Sequence, residues 1–162
     1  MTGGWRAAPR RLAGLVRTAW PKRALVAEAC WALAIAETRL RLSSLKHQGV
    51  PGLVPPGDEA SAVQAGGAGE RKAALEVGWA VTRVAAYFPA SAMCLAQALA
   101  ARAMLRRRGI GSLMHFGVAR AEGGPFEAHA WLEAAGVEVT GYPVPPHLRE
   151  IGCLPGEAAS SR

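Results

Sequence analysis

A chain of 162 residues, 51% hydrophobic and 6% aromatic, is long enough for one domain with an ordinary core and too short for two of usual size. This composition excludes general disorder, and with so few aromatics it points to a helix-rich core. The net charge of +7 is concentrated early, with nine Lys/Arg against Glu28 and Glu37 in residues 1–48; such a face meets nucleic acid, anionic lipid or an acidic protein segment, unless it is simply solvated.

Residues 5–20 form a short basic amphipathic segment ended by Pro21, a residue suited to the first turn of a new helix. Residues 22–47 then carry Leu25, Ala29, Leu33, Ala36 and Leu40 at helical spacing, with Arg39, Arg41 and Lys46 toward the carboxyl end, where cations complement the helix dipole. The longest apolar stretch, Ala24 to Ala36, is interrupted by Glu28 and is too short to span a bilayer. No apolar run followed by a cleavage site is seen at the amino terminus. The expectation is a cytoplasmic chain without integral membrane association. Residues 48–69 hold three prolines and six glycines and read as a linker.

Helical periodicity resumes over residues 70–87 with Leu75, Trp79, Val81, Val84 and Ala85, and Phe88-Pro89 breaks it. Ser91 is a candidate N-cap for a helix from about Ala92 to Arg107, and Gly109 suits its carboxyl-terminal cap. Thereafter the texture changes. Ser112 to Ala119 reads as a strand, Gly123-Gly124-Pro125 as a turn, and Glu127 to Glu133 with Val137 to Tyr142 as a hairpin around Ala134-Ala135-Gly136. The proline-rich tail reads as irregular. The order predicts an α+β fold, with amino-terminal helices followed by a short antiparallel sheet. The expected division is a basic helical segment over 1–48, a Gly/Pro-rich linker over 49–69 and a core over 70–162.

Three cysteines, Cys30, Cys94 and Cys153, at wide spacing argue against a disulfide framework and against a zinc site. No cofactor or metal is expected. Cys30 lies on an apolar helix face and reads as core. Cys153 lies in the tail with no base near it in sequence, and His115 alternates along its own strand without cysteine context. Cys94 differs, because it falls in the opening turn of a helix. There the unpaired backbone N–H groups and the positive end of the dipole favour a thiolate. The same groups hold an oxyanion when a carbonyl is attacked. A histidine from a neighbouring strand completes the nucleophile as proton acceptor and later donor, and His129, in Ala128-His129-Ala130-Trp131, is the candidate. The bland alternative is a buried cysteine and a satisfied core histidine.

The residues around both positions carry a resemblance. Pro89-Ala90-Ser91-Ala92-Met93-Cys94-Leu95, Ala98-Leu99, Met104 to Ile110, Phe116-Gly117-Val118 and Phe126 to Glu133 with Gly136 resemble the transglutaminase-like leader peptidases of lasso-peptide biosynthesis, the peptidase half of the B protein. The basic amino terminus ending near Arg39-Leu40-Arg41 is similar to that family more loosely. The resemblance implies a papain/transglutaminase-like fold and a cysteine peptidase. Its catalytic residues would be Cys94 and His129, and it would act on a precursor peptide. It also implies a separate leader-recognition protein and an ATP-dependent lasso cyclase as partners, with no role for nucleic acid.

One departure stands out. On the strand after the histidine, where the family pattern has an aspartate, this chain has Thr140-Gly141, and no aspartate follows Asp58. A two-residue turn at Ala134-Ala135 would pair His129 with Thr140 and leave Glu138 as the diagonal neighbour, making Glu138 the candidate to orient the imidazole. A threonine hydroxyl or a backbone carbonyl is the alternative. Three other readings compete: acyl transfer to an amine by the same thiol, a non-catalytic basic scaffold for the precursor, and a membrane-surface protein using residues 5–20.

Overall fold

The structure, a computed structural model, describes residues 20–42, 53–55, 66–88, 93–120 and 126–156. Residues 5–19, most of the expected linker, Ser91 and the Gly123-Gly124-Pro125 turn lie outside them.

Three helices precede a sheet: α1 (Trp20–Leu42), α2 (Ala68–Ala85) and α3 (Met93–Arg106), then β1 (Ser112–Arg120), β2 (Phe126–Ala134), β3 (Val137–Thr140) and β4 (Arg149–Gly156). Helix α1 buries Val26, Ala29, Leu33 and Ala36, one stripe at helical spacing, and packs on α2 and α3. Glu28 on α1 receives Arg107 at 2.9 Å and Arg108 at 2.6 Å, tying it to the end of α3. Helix α2 starts with the Glu70 carboxylate accepting the Gly67 N–H at 3.0 Å. Helix α3 ends as its glycine foretells: Gly109 takes φ 71°, and the Ile110 N–H reaches back to the Leu105 carbonyl at 3.1 Å.

The buried face of α2 is small: Ala74, Val77, Gly78, Val81, Val84 and Ala85. The reason is the sheet. A Cβ on Gly78 would lie 2.3 Å from the Val139 carbonyl oxygen, so the helix backbone rests directly on β3. Leu75 and Trp79, expected among the apolar positions of this helix, instead face outward, 53% and 38% exposed.

The sheet is antiparallel with order β3-β2-β1-β4. Met114 on β1 and Ala130, Leu132 and Ala134 on β2 join the helical core, while His115, His129, Trp131 and Glu133 occupy the other set of alternating positions. Two expectations need correction. The tail is not wholly irregular, because Arg149–Gly156 pairs with β1 as an edge strand, where proline and glycine are tolerated. The hairpin turn is Ala135-Gly136, with φ 52° and 73°, as a two-residue turn with both angles positive requires. Its register is Ala134↔Val137 and Glu133↔Glu138, and after an irregularity Leu132↔Thr140, so Thr140 pairs with Leu132 and not with His129.

Candidate active site

Cys94 is the second residue of α3, within the turn whose backbone N–H groups have no intrahelical partner. One turn on, Gln97 falls on the same side of the helix. His129 is in the middle of β2, with Gly117 of β1 as its cross-strand partner. These elements converge on a cavity of about 430 Å³ lined by Cys94, Gln97, His129, Glu138, Thr140 and Tyr142, with Thr82 of α2 at its margin. The three residues singled out from sequence, 35 and 44 positions apart along the chain from Cys94, therefore share one wall-to-wall space. Cys94 and His129 are both half-buried.

The imidazole is held by the backbone. His129 Nε2 lies 2.6 Å from the Gly141 carbonyl oxygen. A carbonyl only accepts, so Nε2 carries the hydrogen, and in the neutral ring the lone pair is on Nδ1. That acceptor depends on glycine. Gly141 has φ 85°, and a Cβ there would stand 2.5 Å from the Ala130 oxygen and 2.7 Å from Trp131 Cα. The chain bends over β2 at this point because nothing projects from it. Glu138 lines the cavity but lies across from Glu133 at the turn end of the hairpin. The group on the imidazole is the Gly141 carbonyl, not the Glu138 carboxylate.

Next to Gly141, Tyr142 donates its hydroxyl to Glu133 Oε1 at 2.5 Å. Desolvation, followed by the Glu133 hydrogen bond and the negative charge around it, pushes the phenol far above its ordinary range. Trp131 stacks on His129 with ring centres 6.1 Å apart and on His115 at 5.3 Å. The indole lies over Gly117, where a Cβ would be 2.8 Å from it. His115 in turn bonds Glu150 at 2.7 Å through Nδ1.

The other cysteines are differently placed. Burial pushes the Cys30 thiol up. Cys153, which has no base near it in sequence, is the cross-strand partner of His115, but it is only 2% exposed and closed to a peptide. Thr82, Gln97 and Tyr142 were not singled out from the sequence. The spacing of Gln97 from Cys94, one helical turn, is the signal that identifies it; Thr82 and Tyr142 reach the cavity only through the packing of α2 and the bend at Gly141.

Helices leading into an antiparallel sheet, with a cysteine at a helix start and a histidine on a strand lining the same cavity, fit a transglutaminase-like α+β domain. The family model described as Transglutaminase-like superfamily matches residues 56–151. The chain belongs to that superfamily, whose members are typically cysteine-dependent enzymes. No curated protein and no solved structure matches the chain. Among the described residues, no helix is long and apolar enough to cross a membrane.

Proposed function

We propose that this chain is a cysteine endopeptidase that removes the leader from a lasso-peptide precursor through a Cys94 thioester. The observation that carries the reading is the shared cavity of Cys94 and His129, with the imidazole held through Nε2 so that Nδ1 is the free base. His129 Nδ1 takes the proton from the Cys94 thiol, and the sulfur attacks the carbonyl carbon of the scissile bond. The oxyanion is met by N–H groups of the first turn of α3 and by the Gln97 carboxamide. The imidazolium returns its proton to the leaving amine, the C–N bond breaks, and a thioester remains on Cys94. Water, deprotonated by the same nitrogen, then releases the acid and the free thiol.

The lasso assignment rests on the sequence resemblance from Phe88 to Gly141. In that setting a separate recognition protein presents the leader, and an ATP-dependent cyclase joins the new amino terminus to a side-chain carboxylate. The need for ATP places the sequence of reactions in the cytoplasm. The test is mass spectrometry of a lasso precursor incubated with the chain and its recognition protein. A single cut, lost in Cys94→Ala and in His129→Ala with peptide binding retained, is the expected result. Joining of the acyl fragment to an added amine in preference to water would reassign the site to acyl transfer. Equal cutting by Cys94→Ala would sink the thiol mechanism, and binding without any cut would leave the scaffold reading.

A further inference from the structure

A second cavity, of about 500 Å³, lies between α1 and α2 on the outer side of the helices. Its apolar floor is Leu25, Leu75 and Trp79, and Lys22, Arg71 and Lys72 stand around it. Lys22 Nζ is 5.0 Å from the Trp79 ring centre and the Arg83 guanidinium 5.7 Å, so the indole face already carries cations. Glu76, the one acid among the described lining residues, also shares a cavity with the Arg108 guanidinium and favours its charged form. Large exposed apolar side chains bordered by an excess of one charge mark a docking surface for a ligand of the opposite sign.

The groove leads to the thiol cavity. On an α-helix, residues 7 and 11 positions apart point within about 20° of one another. Leu75 and Arg71 stand in that relation to Thr82, and Thr82 lines the cavity of Cys94 and His129. Arg71, Leu75 and Thr82 are all exposed, so one open stripe of α2 joins the two spaces. From Arg71 to Thr82 the helix rises roughly 16 Å, the reach of about five extended residues.

We infer that this groove is a substrate-docking site for an acidic peptide segment bearing apolar side chains, at least about five residues from the bond cleaved. The inference rests on the peptidase reading for its link to the thiol, and on charge and shape for the ligand class. Two segments of the chain itself fit less well. Residues 1–19 hold Arg6, Arg10, Arg11 and Arg17 and no acid, and would be repelled. Residues 56–65 contain Asp58 and Glu59, but they lead into α2 through Gly66, whose Cβ would lie 2.6 Å from Ala135 of the hairpin turn.

The test is fluorescence anisotropy of a fluorescein-labelled decapeptide in which glutamates alternate with leucine and phenylalanine, titrated with full-length Cys94→Ala. Binding should weaken at least tenfold in the added double variant Arg71→Glu/Lys72→Glu, and several-fold in Leu75→Ser. It should fall with salt, and be lost when the glutamates of the peptide are replaced by lysines. All three positions are solvent-exposed, and circular dichroism checks that the variants fold. Undiminished binding by the charge-reversed protein, or equal binding of the lysine peptide, overturns the inference. So does a tenfold gain on changing Asp58 and Glu59 to serine, which would mean that the chain fills its own groove. The two readings fail separately. Acidic-peptide binding without precursor cleavage sinks the peptidase, whereas cleavage with an unchanged KM in Arg71→Glu/Lys72→Glu sinks the groove.

Discussion

Gly141→Ala removes the acceptor on the imidazole without touching either reacting side chain. Its cost follows from two features of the backbone. At φ 85° an alanine is strained, by about 1–2 kcal/mol in the left-handed region. Its Cβ would also meet the Ala130 oxygen at 2.5 Å and Trp131 Cα at 2.7 Å, backbone atoms of a central strand that cannot swing aside. Overpacking of this kind adds about 1–3 kcal/mol, so the expected loss is about 3 kcal/mol, or a fall in Tm of roughly 6–12 °C. The bend relaxes by moving the Gly141 carbonyl away from His129, and a misplacement of about 1 Å in a catalytic group costs on the order of a hundredfold in rate. The assay is alkylation by limiting iodoacetamide at pH 6, read by intact mass at a temperature well below both melting points. In the parent protein Cys94 should label ahead of Cys30, whose thiol is pushed up by burial, and ahead of the buried Cys153. Gly141→Ala should slow Cys94 labelling about as much as His129→Ala does, while Glu138→Gln changes it less than threefold. A variant that melts early but labels Cys94 at the parent rate would refute the carbonyl as the orienting group. A larger loss in Glu138→Gln would transfer that role to the carboxylate.

Tyr142→Phe deletes the hydroxyl held by Glu133; because the Glu133 side chain is 42% exposed and can be hydrated, the expected cost is only about 1 kcal/mol by thermal melting. The same phenol gives a pH signature. Its folded value lies above its unfolded one, so the unfolded chain loses the proton first, and stability should decline as pH rises above about 10, by a steeper slope in the parent than in Tyr142→Phe. Gly78→Ala drives a methyl group into the Val139 carbonyl at 2.3 Å and should cost about 2–4 kcal/mol as α2 lifts from β3; an unchanged denaturation midpoint would contradict that packing. Glu28 is held below the usual carboxylate range, chiefly by its hydrogen bond to Arg108 against opposing desolvation. Its stabilising contribution is present above its unfolded value and is lost as pH falls below about 4.5, so Glu28→Gln should flatten part of the acid limb of a urea-midpoint-versus-pH curve.

The helices were legible because period 3.6 survives in their sequences, and Gly109 announces the end of α3. Which face of α2 is buried was legible only in part: Val81, Val84 and Ala85 are buried as expected, whereas Leu75 and Trp79 are not. Leu75 and Trp79 are its most hydrophobic residues, yet the sheet selects Ala74, Val77, Gly78 and Val81, since only a small-residue face lets a helix backbone approach a strand so closely. Strand β4 was hidden by Gly152 and Pro155, which break alternation at an edge where one side needs no partner. Its pairing also brings Cys153 opposite His115, a neighbourhood that separation along the chain conceals.

Cys94 and His129 were legible as side chains with distinctive local settings, and the fold brings both into one cavity. The orienting group was legible only as an alternative, a backbone carbonyl with no residue assigned to it, and the reason is general. An orienting aspartate is a letter in the sequence, whereas a carbonyl is present at every residue and becomes an acceptor only where the backbone turns it toward the ring. What the sequence does record is the permission for that turn, a glycine at position 141 beside a strand too close for any Cβ. A turn one residue earlier would pair Thr140 with His129 and bring Glu138 within reach of the imidazole; the turn at Ala135-Gly136 moves that pairing two residues along β2, and the irregularity between Leu132 and Glu133 moves it one more, to Leu132. With a neutral carbonyl as acceptor, the ring is held in one tautomer with less electrostatic support for an imidazolium than a carboxylate gives. On the proposed thiol mechanism more of the charge stabilisation then falls to the start of α3, so the rate should respond more to its first-turn backbone than to any acid on the sheet.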